Sequence, residues 1–290
     1  DINPGTNSDA IVVRSSDGVT VQGLTVSAGK YPIRIVDCTN AAVLENTATG
    51  TKNGIRVRGG SANSVMDNGL TDLTGSTDEQ GQVSGGHGIR IRNSANADIR
   101  NNTVTSTIDN PVGNGVLATR VDGAIVRNNN VTGVGRNGIR LGSAPGAVVR
   151  GNDMTNTGAH GVLVKNAAGA RIRANKVTTA GRNGVRIKRS AGSTIDGNAC
   201  TGSGGSGVYI NRSNDAVVDG NTTNENRGDG IALYRAENPA VVGNSASANN
   251  RFGIRVRKSD PLDEISDLTA AGNSAAGNGK ADYRVGDEVQ

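Results

Sequence analysis

The sequence predicts an all-β solenoid, a parallel β-helix of about ten coils with roughly 23 residues and three short strands per coil. Three observations carry this. A Gly-Ile or Gly-Val dipeptide recurs at Gly54, Gly88, Gly115, Gly138, Gly161, Gly184, Gly207, Gly230 and Gly253, with the last six spacings all 23 residues. An Asn column runs in step at Asn46, Asn68, Asn102, Asn129, Asn152, Asn175, Asn198, Asn221 and Asn244. Within each repeat, apolar and polar residues alternate with period two, the signature of strands rather than helices.

Composition agrees. The chain has 290 residues, 43 Gly and 34 Asn, and only 2% aromatic residues. A core without large rings suits short strands joined by tight turns. No apolar run approaches the roughly 20 residues that a spanning helix needs. No signal peptide or lipidation motif stands at the start, which is compatible with Asp1 following a removed leader. Cys38 and Cys200 fall on distant coils, so they read as small buried fillers rather than a disulfide.

The elements follow in order along one repeat. The pattern after the Gly is an inward Ile or Val, an outward Arg, a second inward aliphatic and an outward polar residue, as in Gly184-Val185-Arg186-Ile187-Lys188, with Arg at the second position in five of the nine repeats. A second strand precedes the Asn and places Val149, Ile172, Ile195, Val218 and Val241 in one inward column. The third strand follows the Asn, with Val131, Met154, Val177 and Cys200 inward and Thr49, Thr71, Thr105, Thr132, Thr155, Thr178 and Thr201 outward. The Asn column reads as a bend residue, left-handed in backbone and bonded to the Asn above and below. An earlier turn fits the frame with Gly23 at the Asn site and Pro32 at the Gly site. The prediction is a single domain over residues 1–290, with coils over about 11–285.

Two coils break the period. About eleven extra residues lie near 72–86, including Asp78-Glu79-Gln80, and about four near 106–111, around Asp109-Asn110-Pro111. Both fall between the Asn and Gly sites, so they should emerge from one corner beside the Arg-rich strands. Long loops on a regular scaffold commonly carry function.

Charge is polarised. Eight-residue windows around the Gly-site residues of ten coils hold 21 Lys or Arg, from Lys30 to Lys258, and two acids, Asp37 and Asp229. Stacking sets corresponding outward residues about 4.8 Å apart at the backbone. Arg34, Arg56 and Arg90 should form one column with Arg58 and Arg92 beside it, followed by Arg140, Lys165, Arg186 and Lys188. Such a face, free of matching acids, fits a polyanion. The aromatic residues Tyr31, Tyr209, Tyr234 and Phe252 look scattered, which argues against single-stranded nucleic acid. A straight strand face supplies no element that reads a duplex groove. Arg forks suit carboxylates, so an acidic polysaccharide is the expected partner.

The Asn-ladder coils and repeated Gly-Ile/Val-Arg strands resemble the right-handed parallel β-helix proteins of the pectate-lyase-like superfold. Within that group they are most similar to the repeat class of carbohydrate-binding proteins and sugar hydrolases. The resemblance implies a secreted, cell-surface or periplasmic protein acting on a polyuronate. It leaves activity open, because lyases, hydrolases, C5-epimerases and non-catalytic members share the fold. The Asp-Pro-His motif of the mannuronan C5-epimerases is missing from this sequence.

Lyase or epimerase chemistry needs the substrate carboxylate neutralised, the C5 proton removed and a proton delivered. His87, at the end of the longer insertion, is the expected base, with Arg56 and Arg90 as catalytic partners. Arg34, Arg58, Arg92, Arg140, Lys165, Arg186, Lys188, Tyr209 and Tyr234 are expected to bind substrate, and Tyr could supply a proton. Paired carboxylates for hydrolysis and acidic calcium ligands are lacking on this face, and neither a metal nor another cofactor is expected. His160 holds the same repeat position as His87. Asn53, Asn114, Asn137 and Asn183 also occupy it, so both His residues also read as turn substitutes. The competing reading is a non-catalytic module that binds an anionic glycan or serves as an extracellular structural spacer.

Overall fold

The computed structural model describes residues 2–5, 7–77, 83–107, 109, 111–257, 268–285 and 288–289. The fold is an all-β, right-handed parallel β-helix of about ten coils with three strands per turn. The chain divides into two compact units, Asp1–Val148 and Val149–Gln290.

In the first unit, the strands that follow the Gly sites form a parallel sheet, here the glycine sheet: Asp9–Arg14, Tyr31–Val36, Ile55–Arg58, His87–Arg92, Asn114–Thr119 and Ile139–Gly142. The second unit builds its own glycine sheet from Val162–Lys165, Val185–Lys188, Val208–Asn211, Ile231–Tyr234, Phe252–Arg257 and Ala281–Val285. Glu288–Val289 pairs antiparallel with the last of these. Two further parallel sheets carry the strands before and after the Asn site, such as Arg171–Arg173 and Lys176–Thr178.

Period-two alternation sorts the side chains. Ile55, Val57, Ile89, Ile91, Val185 and Ile187 are buried from the glycine sheet, with Ile172, Ile195, Val131, Met154 and Val177 from the others. Cys38 and Cys200 are free and buried, and burial pushes the Cys200 thiol up to about 12.

The Gly column has a steric cause. A Cβ on Gly115 would sit 2.7 Å from the Gly138 carbonyl oxygen and 2.3 Å from Val131 Cγ1. On Gly184 it would sit 2.7 Å from both the Gly207 oxygen and the Cys200 sulfur. Backbone passes backbone here too closely for any larger residue.

The Asn residues form the expected ladder. Asn175 Nδ2 donates to Asn198 Oδ1 at 2.9 Å and to the carbonyls of Val149 and Arg173 at 3.0 and 3.1 Å. Its Oδ1 accepts from the backbone N–H and the amide of Asn152 at 3.1 and 2.9 Å. Two details differ from the sequence reading. The left-handed residue is the one before the Asn, such as Glu45, Asp67, Asn101 or Ala174, because the Asn itself must aim its amide inward. At the first turn, Leu24 rather than Gly23 holds the ladder site: its N–H donates to Asn46 Oδ1 at 3.0 Å, and Gly23 supplies the left-handed bend. A second ladder escaped notice, because it begins only late in the chain: Ser203, Asn226, Asn249 and Asn278 bond in sequence.

The roots of the two insertions meet. Thr107 N donates to the Leu73 carbonyl at 3.0 Å, Gly113 N to the Gly86 carbonyl at 2.9 Å, and Gly75 packs on Pro111. Ser76–Thr77 pairs antiparallel with Val83–Gly85. Asp78, Glu79, Gln80, Asn110 and Lys258 lie outside the described residues.

Replacing Asn175 by Leu strands four hydrogen-bonding partners in a dry interior. Chemical denaturation should register a loss of about 3 kcal/mol or more. Thr178→Val, on the outer side of the same coil, should stay within about 0.5 kcal/mol.

Candidate functional site

The glycine sheet carries the predicted arginines where register puts them. Arg34 pairs with Arg56 and Arg56 with Arg90 in one column, and Arg58 with Arg92 in the next. Leu117 follows Arg90, so Arg140 stands one coil removed from that column. Two corrections follow. Arg34 is not free, because Asp9 of the preceding strand, outside the sequence windows, forms an ion pair with it. Tyr31 is not isolated, because its ring lies 5.8 and 5.7 Å from the Arg34 and Arg56 guanidinium carbons. Among the described residues, no carboxylate pairs with Arg56, Arg58, Arg90 or Arg92. Burial, and then the charge on Arg56, pull Arg90 below the ordinary arginine value.

The other sheets behave differently. Arg127 and Arg100 pair with Asp98, Arg173 with Asp196, and Lys176 with Asp153. These four basic residues meet an acid on their own or the neighbouring coil, while Arg150 and Arg171 form no ion pair among the described residues.

His87 sits at the edge of the Arg cluster but faces into the stack. Its Nδ1 accepts from the Asn114 backbone N–H at 3.3 Å and from Asn114 Nδ2 at 3.1 Å. Asn137 Nδ2 donates to Asn114 Oδ1 at 2.8 Å, which fixes the amide orientation. A backbone N–H can only donate, so Nδ1 is bare and the neutral ring carries its proton on Nε2. At Nε2 the ring donates and does not accept, which conflicts with a role as base at that atom. Burial first, then Arg90, Arg136 and Arg140, lower His87 to about 4. His160 repeats the arrangement: Nδ1 accepts from the Asn183 N–H at 3.1 Å, and burial and Arg186 lower it to about 4. The residues before the Gly sites thus form a polar ladder. In the second unit it runs from His160 through Asn183, Ser206 and Asp229 to the Phe252 N–H.

That ladder ends at a cluster the sequence did not assemble. Tyr209 lies between Arg186 and Ala232 in register, and Tyr234 is offset by two residues on the next coil. Ala232 is fully buried on the outward side, and its small side chain lets the two rings stack, centroids 5.3 Å apart and 28° between planes. Arg186 covers Tyr209 at 5.4 Å, while Arg255 lies between Tyr234 at 5.5 Å and Phe252 at 4.9 Å. The aromatic residues are therefore gathered rather than scattered, with their faces occupied by guanidinium groups and by each other. Asp229, only 3% exposed, ion-pairs with Arg251 Nε and Arg255 Nη1, both at 3.8 Å. No local sequence signal marks Arg251 or Arg255 as partners of this carboxylate.

These side chains surround an open cleft of about 400 Å³, lined by Asn183, Arg186, Tyr209, Asp229 and Tyr234 with Arg227 and Arg251. Burial, then Tyr234, raise the Tyr209 hydroxyl above its ordinary value, so it is protonated at neutral pH. Lys165 and Lys188 face each other across neighbouring strands, one column away from Arg186. The predicted residues thus separate into a His87 group with Arg34, Arg56, Arg58, Arg90 and Arg92, and a cleft group with Arg186, Tyr209 and Tyr234. Among the described residues, no group of three or more His, Cys, Asp or Glu is placed to hold a metal ion, and no helix is long and apolar enough to cross a membrane.

The family model described as right handed beta helix region matches residues 3–110, 81–167 and 114–282, and the chain belongs to this family. No curated protein matches the sequence. Among solved structures, the Azotobacter vinelandii mannuronan C-5 epimerase AlgE4 A-module is similar at 15% identity, covering 96% of this chain and 87% of that one, with a TM-score of 0.71. The periplasmic alginate epimerase AlgG is similar at 16% identity over 94% and 74%, with a TM-score of 0.59. The catalytic domain of a GH87 alpha-1,3-glucanase in complex with nigerose is similar at 12% identity over 99% and 63%, with a TM-score of 0.50. At these identities the likeness is one of fold.

Both His residues favour the neutral form in the fold. A folded value near 4 against about 6.5 unfolded gives stability that is complete above pH 6.5 and lost as pH falls toward 4, on the order of 3 kcal/mol per ring. Denaturation at a series of pH values should show this loss. His87→Asn, which places the Asn114-type side chain in the ladder, should reduce it by about half.

Proposed function

We propose that the protein binds an acidic polysaccharide, a polyuronate, on its glycine sheet and acts on it by lyase or C5-epimerase chemistry, outside the cell or in the periplasm. The observation that carries this reading is the cleft of the second unit. There an arginine-rich wall, a buried carboxylate and a protonated tyrosine hydroxyl converge.

Each has a role in the chemistry. Arg186, Arg227 and Arg251 line the cleft and suit the substrate carboxylate, whose neutralisation makes the C5 proton removable. Tyr209 presents its hydroxyl rather than its face, because the ring is covered by Arg186 and Tyr234; it delivers the proton to the leaving oxygen or to the opposite face. Asp229, the carboxylate among the cleft-lining residues, is the candidate base. His87 keeps a supporting place: it holds the neighbouring coil and donates from Nε2. Arg56, Arg58, Arg90 and Arg92 extend the binding surface of their own unit. Lys165, Lys188 and Arg140 add positive charge without touching the cleft lining.

The second reading, a non-catalytic glycan-binding module, is favoured by one observation. The 23-residue spacing is unbroken through the coils of the cleft, where an active site would ordinarily disturb the repeat.

Incubation with alginate, polygalacturonate and glycosaminoglycans, followed by ultraviolet absorbance for unsaturated product and proton NMR for epimer content, separates the readings. Tyr209→Phe should lower turnover by about 100-fold or more with binding largely kept, whereas His87→Gln should leave the rate nearly unchanged. The reverse pattern would move the chemistry to the insertion end. Salt-sensitive binding without any product would establish the module.

A further inference from the structure

The corner that follows the glycine sheet has an unusual occupant. Residues at this corner take a left-handed backbone, which favours Gly, Asn, Asp or Ser. Asp37, Asn93, Ser143 and Asn166 obey that preference. Arg120, Arg189, Arg212 and Arg235 do not, with φ of 55°, 51°, 52° and 52°. Among the described residues these four are the basic ones in left-handed conformation, and all stand at this corner. Three of them occupy successive coils of the second unit. The N–H of Arg189 donates to the Asn211 carbonyl and that of Arg212 to the Tyr234 carbonyl, each at 3.0 Å. A backbone that would be better served by Asn thus carries Arg three times in succession.

The three side chains line one shallow cavity of about 510 Å³, together with Asn214 and Glu237. Among the described residues none of the three forms an ion pair. The single acid in the lining, Glu237, accepts at Oε2 from Asn214 Nδ2 at 2.6 Å and forms no ion pair among the described residues, so three guanidinium groups face one carboxylate. Crowding of charge reaches the adjoining strand, where desolvation and then Arg186, Arg189, Lys165 and Arg212 hold Lys188 below the ordinary lysine value.

We propose that this corner is a second anion-binding site, which takes the carboxylate groups of an acidic oligosaccharide segment apart from the one in the Tyr209 cleft. The three residues repeat at the coil rise, about 4.8 Å at the backbone, along the direction in which successive sugar carboxylates would run. Their planar forks match carboxylate oxygens in pairs. The ligand class rests on the proposed function; the location does not.

The test is calorimetric titration of the full chain with trigalacturonate and with a neutral trisaccharide, using Arg189→Asn/Arg212→Asn/Arg235→Asn and Arg186→Glu. Asn already occupies this corner at Asn166, so the triple variant should fold and melt at a higher temperature than the parent. Arg212→Gly repeats the test if it melts lower. Two equivalents of trigalacturonate should bind the parent, and the triple variant should lose one of them or bind it at least about 10-fold more weakly. The neutral sugar should bind neither place. A single equivalent lost only with Arg186→Glu, two equivalents in the triple variant, or equal binding of the neutral trisaccharide at the corner would each overturn the proposal. A single equivalent lost only with the triple variant would uphold the corner and remove the cleft from the proposed function.

Discussion

The backbone of each coil finds its hydrogen-bond partners in the coils on either side, and most features of this molecule descend from that constraint. In-register stacking puts each residue about 4.8 Å from its counterpart one repeat away. A favourable self-contact is then repeated many times over. The Asn ladders show the benefit, because every amide both donates and accepts within a dry interior. The Gly column shows the cost of close approach, because a Cβ there would strike the next coil's backbone oxygen.

The same rule turns against like charges. Two cations about 5 Å apart in water repel by roughly 0.8 kcal/mol, less with salt. On the strands beside the Asn site, Arg100, Arg127, Arg173 and Lys176 are relieved by acids of the same or neighbouring coil. On the glycine sheet Arg56, Arg58, Arg90 and Arg92 have no such relief among the described residues. Elsewhere on this face relief comes from Asp9 at Arg34 and Asp229 at Arg255, and from rings: Tyr31 beside Arg34 and Arg56, and the run of Arg186, Tyr209, Tyr234, Arg255 and Phe252. Rings held this way keep their cations in place. A surface that keeps its arginines ordered but uncompensated is suited to receive anions from solution.

The repeat was legible because its causes are local. Gly54 through Gly253, the Asn column and the Arg that stands at the second position after five of the nine Gly are each set by one position in one coil, and the spacing converts them directly into stacked columns. What could not be read were relations between columns. Nothing in the sequence says that Tyr209 and Tyr234, one column apart, stack because Ala232 leaves room, or that Asp229 meets Arg251 and Arg255. Asp9 was missed because it precedes the first recognisable Gly-site dipeptide, though register brings it onto Arg34. The left-handed residue was misplaced by one position, since Asn favours both the bend and the ladder and only the inward aim of its amide separates the two. His87 was legible as a site residue by position, beside a broken repeat and four arginines. Its tautomer was not, because that is set by the Asn114 N–H one coil away.

The central claim is that the uncompensated arginines of the glycine sheet are matched to the carboxylates of an acidic glycan. A crystal structure of the protein soaked with a short oligouronate tests it most directly. The account predicts sugar carboxylates within hydrogen-bond distance of glycine-sheet guanidinium groups, with one sugar in the cleft near the Tyr209 hydroxyl. Sugar density confined to the other two sheets, or carboxylates turned to solvent at saturating ligand, would contradict it.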